Sequence, residues 1–153
     1  MPRSTFVYVT YIRTTPDRLW SALTEDAEFM KQYWFGMHCE SEFTAGASWK
    51  LVNDRSEVWD AGQIVEAEPP RRLVIRWQHQ MRPELRAEGA SLCTMELDPV
   101  DKAVKLTITH SVEREGSKLV EAVSGGWPKI LSNLKSLLET GAVAFEEPHR
   151  SQQ

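Results

Sequence analysis

Residues 117–141 read SKLVEAVSGGWPKILSNLKSLLETG, and this stretch decides the fold. Leu119, Val123, Trp127, Leu131, Leu134 and Leu138 recur at helical spacing, so one apolar stripe runs the length of the segment. Gly125-Gly126-Trp127-Pro128 interrupts it, because Pro128 removes a hydrogen bond and crowds the carbonyl of Ser124. The stripe nevertheless keeps its phase on both sides. The reading is one kinked helix with its main body over Trp127 to Glu139, the glycines letting the backbone approach a sheet or a ligand.

The chain before this helix supplies the surface that receives the stripe. Phe6 to Thr14 alternates and is rich in β-branched and aromatic residues, which predicts a strand. Thr15-Pro16-Asp17 then starts a helix with Leu19, Trp20 and Leu23 on its buried face. Asp26 caps a second short helix carrying Phe29, Met30, Tyr33 and Trp34, ended by Gly36. Strands are expected over Met37 to Thr44, Ser48 to Val52, Val58 to Ala67, Leu73 to Gln80, Ser91 to Leu97 and Ala103 to Glu113. Gly62 marks a bulge or sharp bend, Pro69-Pro70 breaks pairing, and Met81 to Gly89 reads as a loop.

In the last strand Val104, Leu106, Ile108, His110 and Val112 face one way, and Lys105, Thr107, Thr109 and Ser111 the other. That is a sheet with one dry face and one wet face. A strand, two helices, six strands and a terminal helix make an α+β protein. A long helix laid across a curved antiparallel sheet leaves a space between them, and an apolar-lined space is a ligand pocket by default.

Composition bounds the rest. With 153 residues, 41% hydrophobic and 26% charged, the chain reads as one globular domain over 1–145 with a frayed polar tail over 146–153. A net charge of −4 argues against binding nucleic acid, which needs a basic face. No run is long enough to insert into a membrane, and the N-terminus lacks a secretion signal, so a cytoplasmic location is expected. Cys39 and Cys93 then read as reduced thiols on strands.

His38, Cys39 and Glu40 include possible ligands, but neighbours on a strand point to opposite faces. No metal-ligand spacing occurs, His149 falls in the tail, and no cofactor is called for. No Gly-x-Ser-x-Gly elbow is present either. His79 and His110 stand on the apolar faces of their strands, where an imidazole could serve as general acid or base. Tyr33, Trp34, Met37, Trp49, Trp59, Trp77, Met95, Ile108, Trp127 and Leu131 complete the expected ligand-binding set with them.

Several motifs carry a family resemblance: Pro16-x-x-x-Trp20-x-Ala22-Leu23-Thr24, Trp34-Phe35, Phe43-x-x-Gly46, Gly62-x-Ile64-x-Glu66-x-x-Pro69-Pro70-x-x-Leu73-x-x-x-Trp77, and Gly126-Trp127-x-x-x-Leu131-x-x-Leu134. In this order they resemble proteins similar to the C-terminal domain of the heat-shock protein 90 ATPase activator. That family lies within the START and birch-pollen-allergen-like (SRPBCC) superfamily. The resemblance spans Phe6 to Gly141 and implies a helix-grip fold, a curved sheet wrapped around the terminal helix with two short helices after the first strand. It also implies a cavity that in relatives takes lipids, polyketides or other hydrophobic molecules. Two departures, Gly46-Ala47 in place of a glycine pair and Pro128 directly after Trp127, bear on the pocket rather than the fold.

The expected function is binding of a small hydrophobic or aromatic molecule. A polyketide cyclase or dehydratase using cavity histidines and a protein-interaction module of chaperone-cofactor type are the alternatives. A homodimer could form through an edge strand.

Overall fold

The apolar stripe does form a single helix. A computed structural model describes residues 4–112 and 117–146, and its elements follow the expected order. These are β1 (Ser4–Ile12), α1 (Pro16–Thr24), α2 (Ala27–Tyr33), β2 (His38–Ser41), β3 (Ser48–Val52), β4 (Val58–Glu68), β5 (Arg72–His79), α3 (Pro83–Arg86), β6 (Ser91–Val100), β7 (Ala103–Val112) and α4 (Lys118–Thr140). Among the described residues, seven strands form one antiparallel sheet in the order β1-β7-β6-β5-β4-β3-β2. The curved sheet with α4 across it is the helix-grip fold. The expected strand residue Glu113, and Pro148 and His149 of the expected tail, lie outside the described residues.

Local chemistry sets the boundaries. Thr15 accepts from the Arg18 amide, with Pro16 in the first turn of α1. Asp26 accepts from the Phe29 amide to start α2, and Gly36 turns the chain out of it at φ +88°. Ser117 caps α4 through the Val120 amide, and Gly141, at φ +87°, closes it. Within α4, Pro128 costs about 3 kcal/mol. Burial of Trp127, Leu131, Leu134 and Leu137 outweighs this at about 1.5–3 kcal/mol each, so the helix continues through the proline.

Four expectations need correction. Leu137, not Leu138, is the buried leucine of the last turns, with Leu138 only partly covered. The 81–89 segment is not all loop, since it contains α3, started by Pro83 and anchored by the buried Leu85. Strand β6 runs on through Pro99, which pairs with Val104, so the expected connection shrinks to the turn at Asp101-Lys102. The irregularities in β4 lie at Trp59, against β3, and between Ile64 and Glu66, against β5, not at Gly62.

Gly62 answers a different constraint. A Cβ there would stand 1.7 Å from the Arg76 carbonyl oxygen on the paired strand β5. Backbone cannot yield as a side-chain tip can. Gly62→Ala should therefore lower stability by more than about 2 kcal/mol, read as a shift of the urea midpoint at unchanged slope; a wild-type midpoint would refute the close approach.

Candidate functional site

Trp77 is the hub of the inner face. Its ring centroid lies 4.5 Å from Trp49, 5.2 Å from His110, 5.8 Å from Trp127 and 6.4 Å from Trp34. Trp34 and Trp127 close the cluster at 5.5 Å. From Leu131 onward α4 is sealed against the sheet, Leu131 and Leu134 being buried in the common core. Toward its N-terminus α4 stays tied to β1 through the Ser117 amide, which donates to Ser4 Oγ at 3.0 Å, while a groove opens between the helix and strands β3 to β5.

The inner part of the groove holds about 300 Å³. Its walls are Trp34 and Met37 after α2, Leu51 on β3, Trp59 and Asp60 on β4, Trp77 and His79 on β5, Arg82 and Leu85 at α3, and Leu119, Ala122, Val123, Gly126, Trp127 and Ile130 on α4. An outer part of about 720 Å³ shares Trp34, Met37, Trp59 and Arg82 and opens to solvent past Asn53, Asp54 and Lys129. Gly125 and Gly126 form part of its α4 wall.

Trp34, Met37, Trp59, Trp77, His79 and Trp127 are thus brought together on the groove. The other expected site residues are not. Tyr33, Trp49, Met95, Ile108, His110 and Leu131 are buried in the core away from it. Tyr33 donates to the Ala22 carbonyl at 2.8 Å, and burial drives its phenol pKa well up. Both thiols are buried and unbridged, with burial pushing Cys39 up to about 12 and Cys93 higher still. Among the described residues no group of three or more His, Cys, Asp or Glu is placed to hold a metal ion.

The two histidines part company. His110 is fully buried, with both nitrogens engaged. Trp127 Nε1 donates to its Nδ1 at 3.3 Å, so the ring proton sits on Nε2 and donates to Ser91 Oγ at 2.7 Å. Ser91 in turn donates to the Trp77 carbonyl at 3.1 Å. Desolvation lowers the His110 pKa to about 4. This imidazole is a neutral strut between helix and sheet. It corrects the expectation of a catalytic histidine at that position.

His79 has a different partner. Its Nδ1 lies 2.8 Å from Asp60 Oδ1, and both side chains are nearly buried, at 13% and 9% exposure. Its Nε2 is buried with no partner among the described residues. Asp60 was missed by the sequence reading although a signal existed. Alternation along β4 puts Asp60 on the face of Ile64, and a carboxylate on a dry face requires a partner. The partner is the residue paired with it in register, His79. Asn133, also missed, is buried on α4, where it donates to Tyr33 and Phe145 carbonyls and accepts from the amides of Ala144 and Phe145.

Sequence comparison agrees with this architecture: the family described as Activator of Hsp90 ATPase homolog 1-like protein matches residues 13–139. The chain belongs to this family. No curated protein matches the chain significantly. Among solved structures, MLL2253 from Mesorhizobium loti is similar at 22% identity and TM-score 0.75, over 89% of this chain and 97% of that one. The Aha1 dimer from Colwellia psychrerythraea follows at 18% identity and TM-score 0.72, over 90% and 98%. DynU16, from the dynemicin biosynthetic locus, gives 24% and 0.70, over 94% of this chain and 50% of that one. At such identities these likenesses show the fold alone. Among the described residues no helix is long and apolar enough to cross a membrane.

The placement of His110 has a pH signature. The unfolded chain binds a proton at this histidine near pH 6.5, whereas the folded protein refuses it until about 4. Its contribution is therefore complete above pH 6.5 and drains away as pH falls toward 4, on the order of 3 kcal/mol in all. His110→Gln should flatten this part of the stability profile in urea titrations between pH 4 and 7. An unchanged slope would show that the imidazole is not held neutral.

Proposed function

We propose that the groove beside the N-terminal half of α4 binds a small hydrophobic or aromatic molecule. The observation that carries this reading is the pair Gly125-Gly126 in mid-helix. Glycine costs about 1 kcal/mol relative to alanine at each such position. Packing does not require it, because a Cβ at either residue would meet nothing within 4 Å. What the missing side chains leave clear is the wall of the groove. A stability cost kept where it maintains open space fits a binding site.

The walls suit a flat apolar guest. Trp34, Trp77 and Trp127 offer ring surface, and Met37 offers an adaptable thioether. Affinity would come chiefly from apolar burial, at about 25 cal/mol per Å² before ordering costs. The biosynthetic locus of DynU16 accords with a small-molecule partner. A cytoplasmic site of action belongs to the same reading.

The test separates stability from binding. Fatty acids, flavonoids and polyketide-like aromatics are titrated while tryptophan fluorescence and melting temperature are followed. At least one class should quench and stabilise the wild type. Gly126→Ala should raise stability by up to about 1 kcal/mol, and Gly126→Leu should stay folded yet lose the response. No response in the wild type, or an undiminished one in Gly126→Leu, rejects the reading.

Self-association is a second reading, favoured by β1. This nine-residue edge strand exposes Val7, Val9 and Tyr11 about halfway and, over Ser4–Ile12, carries no proline or lysine to discourage pairing. The Aha1 relative from Colwellia is a dimer. Light scattering should find a dimer that Val9→Lys converts to monomer. A monomeric wild type, or a dimer indifferent to the substitution, excludes pairing through β1.

A further inference from the structure

We infer that His79 and Asp60 make the groove selective for aromatic molecules bearing a hydroxyl, with His79 Nε2 as the acceptor of that hydroxyl's proton in a hydrogen bond. This rests on the reading of the groove as a ligand site and names the chemistry of its guest.

The direction of the hydrogen bond follows from the Asp60 contact. An ionised carboxylate only accepts, so Nδ1, at 2.8 Å from Oδ1, carries the ring proton. In the neutral ring Nε2 is then a bare lone pair. Asp60 fixes both the tautomer and the ring plane, the arrangement by which a carboxylate orients a functional imidazole. Asp60 is therefore a positioning residue, and His79 is the group that touches the guest.

The cost of the arrangement points to a guest that completes it. Nε2 is buried and has no partner among the described residues, and an unpaired buried acceptor costs about 1–3 kcal/mol. The ring belongs to the wall of the inner groove beside Trp77 and Asp60. His110 on β7 has both nitrogens committed, so the fold is able to satisfy an imidazole when nothing else is asked of it. A hydroxyl donor removes the penalty at His79.

Other guests fit less well. A carboxylate would set lone pairs against the Nε2 lone pair, with the Asp60 charge behind it. The rim does not select a cation, since Lys129 and Arg82, the latter already paired with Glu84, stand there with Asp54. A plain hydrocarbon leaves the acceptor unpaired, and a site built around a buried polar group rejects analogues that lack its partner. Flat tryptophan walls and one fixed acceptor together describe a phenol or fused-ring hydroxyarene.

The test uses 2-naphthol and 2-methoxynaphthalene, alike in ring area but different in donor capacity, measured by calorimetry on the whole chain. The wild type should bind 2-naphthol at least about tenfold more tightly. In His79→Phe the two compounds should bind alike, within about twofold. Because that variant leaves the Asp60 carboxylate buried without its partner, the double variant Asp60→Leu/His79→Phe is measured as well, with the same expectation. If the wild type binds both compounds equally, or the preference survives in the double variant, the selectivity assignment is wrong while the groove remains a ligand site. If neither compound nor any of the aromatic panel binds, both readings fall.

Discussion

The contact between Trp127 and Trp77 is the constraint on which the rest of the molecule depends. It joins the middle of α4 to the middle of the sheet, with ring centroids 5.8 Å apart. The chain from Trp127 Nε1 through His110 and Ser91 to the Trp77 carbonyl fixes the same two elements by hydrogen bonds. Apolar contact alone would let a helix slide along a greasy sheet. A buried, directional network does not, since each displaced bond leaves a desolvated group unpaired. Toward the C-terminus of this junction the leucines fill the interior, and toward the N-terminus the groove opens. The junction thus works as a fulcrum as well as a seal.

The sequence at the fulcrum is ill-suited to a helix: two glycines, a tryptophan and a proline. Each has a separate physical role. Trp127 supplies the contact. Pro128 forgoes one backbone hydrogen bond at a place where burial on the next turns compensates. The glycines expose the backbone and keep the wall clear, as the absence of any atom within 4 Å of their Cβ positions indicates. A helix optimised for stability would carry alanine or leucine there.

Much of the fold was legible because it rests on local or periodic signals. The α4 stripe, the Thr15-Pro16 and Asp26 helix starts and the alternation of β7 each need only neighbours in sequence. What escaped depends on partners distant in the chain. Leu137 is buried in preference to Leu138 because of where the helix rotates on the sheet, a matter of a single residue. Asp60 meets His79 only because β4 and β5 pair in one register, and periodicity within either strand cannot specify it. The core tryptophan Trp49 and the groove tryptophans Trp34 and Trp127 were alike in the sequence, because burial against a sheet and burial beside a cavity select the same apolar residue types.

The two inward histidines show how one fold can assign opposite tasks to identical side chains. Both lie on strands of the same sheet and both turn one nitrogen toward a protein partner. The difference is what occupies the second nitrogen. At His110 the second partner is the indole of the helix itself, so the ring becomes part of the helix–sheet joint and burial keeps it neutral down to about pH 4. At His79 no helix residue among those described meets Nε2, although Trp127 lines the same groove. The same separation between helix and sheet that creates the groove therefore leaves the acceptor unpaired on its wall. Groove and histidine share one origin, the gap between the N-terminal half of α4 and strands β3 to β5, and a change that moved the fulcrum would alter both together.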